Sequence, residues 1–206
     1  SPKGTGMDEA GEDQGVSVTR VGPRSIRDLP AAQRRAIHGW SMYDWANSGF
    51  ATSVGTAILP IYFIPLFRDA FGQEAQILGF TLTGSSVWGL AFAASTAIVV
   101  FSSPVLGVIA DRTSIKKTLL WSYTAAGALF TFLSFFSAYT GAAWAWALGC
   151  FLVANVGFAG GNVFYNAFLP HLAPKELLND VSSRGYAYGY VGGGLLLAIH
   201  LVFIVG

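Results

Sequence analysis

One acidic side chain, Asp44, stands at the start of the first long apolar run of the sequence. On helical spacing Asp44 shares a face with Ser48, Ala51 and Gly55, and Asn47 lies about 60° away. An acid at the centre of a membrane helix costs about 2.5–3.5 kcal/mol, and less near an interface, where a helix N-terminus favours it. Two interpretations stay open: Asp44 and Asn47 bind a proton or a substrate, or Asp44 caps the helix or hydrogen-bonds within a bundle.

Three amides, Asn155, Asn162 and Asn166, lie in the longest apolar run, and Tyr165 precedes the last of them. Seven residues return a helix to within about 20° and four overshoot by about 40°, so the amides form one stripe. Amides cannot face hydrocarbon without partners. The stripe therefore either makes interhelical hydrogen bonds or lines a cavity for a substrate, and both interpretations stay open.

Small residues recur near the end of the sequence, at Gly185, Gly189, Gly192, Gly193 and Gly194. Glycines spaced four apart let two membrane helices approach closely. We therefore predict that Gly189, Gly192, Gly193 and Gly194 pack against a neighbouring helix.

The sharpest local motif combines Gly107, Asp111, Arg112, Lys116 and Lys117 in one short polar stretch. Gly107 permits close helix approach, and Asp111 can accept hydrogen bonds from a neighbouring helix N-terminus. An ordinary basic loop would explain the three cations. It would not explain the glycine and the aspartate at a helix end.

The composition indicates in which kind of protein these residues lie. The 206 residues are 53% hydrophobic and 11% charged, with a mean hydropathy of +0.52, whereas a soluble domain averages about 25% charged residues. Residues 37–206 hold only 12 of the charges. So few charges cannot cover a water-soluble surface, which excludes a soluble enzyme or binding module and predicts an integral membrane protein.

Enzymatic and metal chemistry are not expected. The single cysteine, Cys150, excludes a disulfide framework, and His38, His171 and His200 show no ligand spacing. We find no phosphate-binding glycine loop and no nucleophile with a matching base. The sequence therefore predicts no metal, no cofactor, no catalytic residue and no nucleic-acid partner.

The uncharged runs set the number of membrane spans, because a helix needs about 20 apolar residues to cross the hydrocarbon. None of the runs shows the alternation of a barrel strand. The sequence therefore predicts an all-α fold, with residues 37–206 as the membrane domain. The predicted spans are residues 40–67, 80–109, 118–137, 143–169 and 186–206.

The loops predict the orientation. Eight basic residues fall on one side of the predicted bundle and only Arg68 on the other, so the N-terminus is predicted to be cytoplasmic. Residues 1–36 read as a polar, disordered tail. The basic residues near its end set the topology or contact anionic lipid.

The stretch from Gly107 to Lys117 resembles the signature loop of the major facilitator superfamily, between the second and third helices of a six-helix half. It departs from the pattern at Ser114, where the family usually has glycine. The resemblance implies a gating role for this loop, which latches the two halves of such proteins in the outward-facing state.

Further segments narrow the resemblance to the branch of the autophagy-related vacuolar amino-acid effluxers and their bacterial relatives, once an unknown major facilitator family. It covers residues 38–206. The residues that carry it lie in the segments 39–52, 58–63, 164–170 and 181–194.

The resemblance implies the first five helices of a 6+6 helix bundle, and we expect the chain to be truncated. It implies a secondary transporter of a small polar solute, with amino acid efflux as the leading expectation. The alternatives are a non-transporting membrane scaffold and a lipid or lysolipid flippase. The implied partners are the lipid bilayer, a small-molecule substrate, protons and the missing C-terminal half. The sequence does not distinguish the plasma membrane from a vacuole-type membrane.

Overall fold

The computed structural model describes the chain over residues 23–112 and 115–205. At three helical positions only the backbone is described: Asp111, Arg112 and Val205. Residues 1–22 of the predicted tail, Ser114 of the loop motif and Gly206 lie outside the described residues.

The described chain is a helical bundle with one small hairpin. Short 3-10 turns occupy Ile26–Asp28, Phe135–Tyr139 and Lys175–Leu177. The other elements, in order, are α1 (Ala31–Gly49), a π-helical segment (Phe50–Ile58), α2 (Leu59–Phe71), β1 (Glu74–Ile77), β2 (Phe80–Thr83), α3 (Gly84–Arg112), α4 (Lys116–Ser134), α5 (Ala143–Leu172) and α6 (Leu178–Val205).

Within the described residues, five helical stretches are long and apolar enough to cross a membrane, which confirms the predicted all-α membrane fold. Four of them are longer than predicted, because the helices continue past the apolar core into polar ends. The stretches are Ala31–Phe71, Gly84–Ala110, Lys116–Tyr139, Ala143–Leu172 and Lys175–Ile204.

The first helix starts earlier than the predicted boundary between residues 36 and 37. Residues 31–36 extend α1 because they are Ala, Gln and Arg, which are strong helix formers. Before the helix, Leu29 is buried in an apolar cluster with Ile37 and Val181. Leu29 therefore anchors the residues before α1 to the bundle, whereas most side chains from residue 23 to residue 36 are exposed.

A β-hairpin that the sequence analysis did not foresee joins α2 to α3. β1 and β2 pair antiparallel, and Ile77 lies opposite Phe80. The two loop residues, Leu78 and Gly79, have φ values of 51° and 82°, as the tightest hairpin turns require. Leucine is strained there, because its Cβ crowds the backbone at positive φ. Leu78 is also 93% exposed.

The π-helical segment was also not foreseen. It directly precedes Leu59 and Pro60 at the start of α2, and the Leu59 N–H donates to the Val54 carbonyl five residues back. A proline lacks an N–H and crowds the carbonyl four residues before it. The wider π-helical turn before Pro60 relieves this steric clash. Such segments are frequent at functional sites.

α5 is the central helix of the bundle, in contact with α1, α3, α4 and α6. Its contact with α4 depends on glycine: a Cβ on Gly157 would lie 2.6 Å from the Gly127 Cα. The backbones therefore approach closely, as small residues allow in membrane helices. α6 packs chiefly against α1. α1, α5 and α6 thus meet along the line where the polar candidates lie.

Candidate functional site

Five of the six side chains predicted for a substrate or proton pathway line one pocket of about 290 Å³. Asp44 and Asn47 come from α1, and Asn162, Tyr165 and Asn166 come from α5. We call this the polar pocket. Its other lining residues are Trp40, Ser48, Ala51, Phe158, Ser182 and Tyr186.

Helical spacing explains why these side chains meet. Asp44 and Ser48 are one turn apart on α1, Asn162 and Asn166 are one turn apart on α5, and α6 closes the pocket with residues one turn apart. The sequence analysis did not select Trp40, Ser182 or Tyr186. The spacing from Asp44 could have indicated Trp40, but the α6 residues required knowledge of which helix faces meet.

An amide pair links the two walls of the polar pocket. The Asn47 Nδ2 donates to the Asn162 Oδ1 at 2.8 Å. Both open interpretations therefore apply to Asn162, because the same side chain makes an interhelical bond and lines a cavity. Each amide keeps further donor or acceptor capacity for a ligand.

Asp44 presents its carboxylate to the polar pocket. Among the described residues we find no ion pair or hydrogen bond to this carboxylate. α6 approaches it at Gly189, where a Cβ would lie 2.9 Å from the Asp44 Oδ2 and 2.7 Å from the Ser48 Oγ. The acid therefore keeps its acceptor capacity for a ligand, and the glycine leaves it room.

Tyr165 is held between two aromatic rings. Its ring stacks on Trp40 at 4.4 Å between centroids and on Tyr43 at 4.9 Å. The Trp40 Nε1 also donates to the Tyr165 carbonyl at 3.1 Å. The Tyr165 hydroxyl is buried and has no hydrogen-bond partner among the described residues. An unpaired buried hydroxyl is costly, and a hydrogen bond from it to an acceptor atom of a ligand would recover that cost.

Asn155 is the one pathway candidate that does not line the polar pocket, and its place in a pathway stays a prediction. Its side chain is 2% exposed and donates to the Ser95 Oγ at 2.8 Å and to the Thr96 Oγ1 at 3.3 Å, both on α3. It lies two turns, or about 10 Å, along α5 from Asn162. At that level the stripe faces α3 and makes an interhelical hydrogen bond.

Three of the four glycines predicted to pack do face α1. A Cβ on Gly189 would meet Asp44, one on Gly192 would meet the Trp45 backbone, and one on Gly193 would lie 3.0 Å from Thr52. Gly194 is a correction, because a Cβ there would meet no described atom within 4 Å. It points away from the α1 contact, although it follows Gly193 directly.

The loop motif spans the end of α3 and the start of α4. Lys116 and Lys117 begin α4, whereas the side chains of Asp111 and Arg112 are outside the description. Close packing at Gly107 is not observed: a Cβ there would meet nothing within 4 Å among the described residues. The gating role of this loop stays a prediction.

A second, apolar pocket of about 470 Å³ adjoins the polar one, and the two share Asn47 and Phe158 as lining residues. It lies chiefly between α1, α4 and α5, with Gly127 and Ala128 on its α4 wall. One polar pair borders it, because the Tyr43 hydroxyl lies 3.1 Å from the Thr124 Oγ1. The two pockets together offer a polar and an apolar compartment.

Comparisons with known proteins indicate the family of the chain. Residues 32–179 match the sequence model of a family described as "Vacuole effluxer Atg22 like". The chain is also 32% identical over 168 residues to a Bacillus subtilis (strain 168) protein described as "Uncharacterized MFS-type transporter YxiO". That alignment covers 82% of this chain but 37% of the relative, so the chain spans little more than a third of the relative's length. No solved structure matches the chain.

Proposed function

The chain belongs to the Atg22-like vacuole effluxer family, and from this premise we propose that it forms the N-terminal part of a secondary transporter. Five of its helices correspond to five of the six in one half of a major facilitator type bundle. Such transporters bind their solute near the bilayer midplane, between two halves that rock against each other. A second half would then supply the opposite wall of the site.

The observation that carries the proposal is the polar pocket. It gathers a carboxylate, three amides and several hydroxyls inside helices that are otherwise apolar. Polar groups at membrane depth are costly and mark substrate or ion pathways. The absence of a partner for the Asp44 carboxylate or the Tyr165 hydroxyl among the described residues further supports a ligand at this place.

The chemistry of the polar pocket fits an amino acid. Asp44 would bind the ammonium group, and the aromatic face of Trp40 or Tyr186 would add cation–π attraction. The amides of Asn162 and Asn166 would donate to the carboxylate of the solute. A proton on Asp44 would compete with the ammonium, which would couple transport to protons. With the N-terminus cytoplasmic, as the basic loops favour, release on the other face of the membrane would be efflux from the cytoplasm.

A lipid or lysolipid flippase is the second candidate, and the apolar pocket favours it. A cavity of about 470 Å³ beside the polar pocket could hold an acyl chain while the head group faces Asn47. The scaffold alternative predicts that the polar pocket is never open to water. A cysteine at position 162, labelled in one transport state and protected in the other, would exclude it.

The test is solute counterflow in proteoliposomes that contain the complete transporter, with amino acids, the corresponding amines and lysolipids as solutes. We expect Asp44→Asn to weaken amino acid binding by about tenfold or more, because a hydrogen bond to a charged group contributes about 1.5–3 kcal/mol. Asp69→Asn is the matched control, since Asp69 is exposed and outside the polar pocket.

Three results would contradict the proposal. Unchanged uptake by Asp44→Asn across the pH range would remove Asp44 from both roles. Unchanged affinity in Asn162→Leu would remove the amide from the binding site. Counterflow of lysolipids without amino acids would establish the flippase instead.

A further inference from the structure

Three arginines meet in a third pocket, at the end of the bundle where α1 begins. This pocket of about 440 Å³, here the basic pocket, lies between the N-terminal 3-10 turn and the first turns of α6. It is lined by Ser25, Ile26, Arg27, Arg34, Asp180 and Arg184. None of these residues lines the polar pocket.

Positive charge dominates the basic pocket. Asp180 is its single acid, one turn before Arg184 on α6, but no ion pair joins these side chains within the described part of the chain. The contacts of the arginines are to neutral groups. An Arg34 Nη1 donates to the Arg27 carbonyl at 2.9 Å, and the Arg184 guanidinium lies over the Tyr188 ring at 5.4 Å. Among the described residues no ion pair neutralises these guanidinium groups, and the lining of the basic pocket keeps a net positive charge.

One residue that lines the basic pocket, Ile26, is held in place by apolar packing. Ile26 packs against the apolar cluster that contains Leu29, Ile37, Leu177 and Val181. The cluster packs the 3-10 turn close to α6, and Arg27, Arg34 and Arg184 therefore line one cavity. Guanidinium groups bind phosphate oxygens with paired, charge-assisted hydrogen bonds.

The position of the basic pocket indicates where the phosphate comes from. α6 carries its charged side chains, Asp180 and Arg184, in its first two turns, and the rest of the described helix has no Asp, Glu, Lys or Arg. Charged side chains at the end of a membrane helix lie at the level of the lipid head groups. The first turns of α6, with Asp180 and Arg184, therefore lie at head-group depth, and so does the start of α1. We propose that the basic pocket binds the phosphate of an anionic lipid head group in the leaflet that borders this end of the bundle.

The experiment is lipid binding to the purified chain, measured by native mass spectrometry with phosphatidylglycerol, phosphatidylcholine or inorganic phosphate as the probe. We expect one phosphatidylglycerol to be retained per chain, about tenfold more tightly than phosphatidylcholine. Arg34→Gln and Arg184→Gln should each weaken its binding about tenfold, the loss of one charge-assisted contact.

Two variants separate a site from a general surface attraction. Arg35→Gln is the matched control, because Arg35 is exposed and adjacent but does not line the basic pocket. Arg35→Gln should weaken phosphatidylglycerol binding by no more than about fivefold, which is the contribution of one cation near an anionic lipid surface. Asp180→Asn should leave binding unchanged or tighten it, since the acid repels the phosphate.

Each opposite result overturns the proposal. Equal losses for Arg35→Gln and Arg34→Gln would mean a surface field without a site. Lost binding in Asp180→Asn would mean that the cluster is an ion network built around the acid. If inorganic phosphate bound as tightly as phosphatidylglycerol, the basic pocket would be a site for a soluble anion and not for a lipid. If Arg184→Gln does not fold, Arg34→Gln decides the matter, because within residues 23–112 and 115–205 the Arg34 guanidinium donates only to the carbonyl of the exposed Arg27.

Discussion

The contact of α6 with α1 gives the sharpest test of the packing. A Cβ added at Gly192 would run into the Trp45 backbone oxygen and lie 2.7 Å from the Trp45 Cδ1 and Cγ. A backbone oxygen cannot turn aside as a side chain can, so Gly192→Ala must push the two helices apart. Overpacking of this kind costs about 1–3 kcal/mol.

Gly194→Ala on the same helix is the matched control, because nothing described lies within 4 Å of its added Cβ. Both variants gain the same helix propensity, about 0.5–1 kcal/mol. The gain in helix propensity therefore cancels when the two variants are compared, and the difference between their free energies of unfolding is the overpacking cost alone. At about 2–4 °C per kcal/mol for a chain of this size, Gly192→Ala should melt about 2–12 °C below Gly194→Ala.

The assay is thermal unfolding of the two purified variants and the parent in one detergent, followed by tryptophan fluorescence. Gly194→Ala should melt at or slightly above the parent. Equal melting temperatures for the two variants would refute the close contact between α1 and α6.

Two further predictions concern residues outside the polar pocket. Asn155→Leu should destabilise the chain by about 0.6–1.7 kcal/mol, the range for hydrogen bonds between membrane helices, and leave solute affinity unchanged. A loss of affinity with unchanged melting would return Asn155 to the binding site. Leu78→Asn should raise the free energy of unfolding by about 1 kcal/mol, because asparagine tolerates positive φ. Leu78→Ala keeps the strain and should leave the melting temperature unchanged; equal shifts for the two variants would contradict this explanation.

The spans could be predicted from the sequence because charge is so scarce that it marks the ends of the helices. The hairpin could not. Its strands are short, and most of it lies in an uncharged run that continues into α3, so counting charges merges the two. The start of α1 was missed for the opposite reason, since Arg34 and Arg35 are charged residues that still favour a helix.

The candidate site was partly predictable. Periodicity places Asp44 and Asn47 on one side of α1, and Asn162 and Asn166 on one stripe of α5. Periodicity does not say which part of a stripe meets which neighbour, and so it could not separate Asn155 from Asn162. That difference depends on α3, which reaches Asn155 through Ser95.

The π-helical segment has a consequence for the rotational phase of the first span. Each residue of a π-helix turns by less than the about 100° of an α-helix, so residues 50–58 shift the phase of α2 relative to α1. Asp44 faces the polar pocket while Phe63 and Phe67, beyond the segment, are buried in an apolar cluster. A helical wheel drawn through the whole span would misplace one half or the other. Because of the segment, the direction in which the polar half of the span faces does not fix the direction in which its apolar half faces.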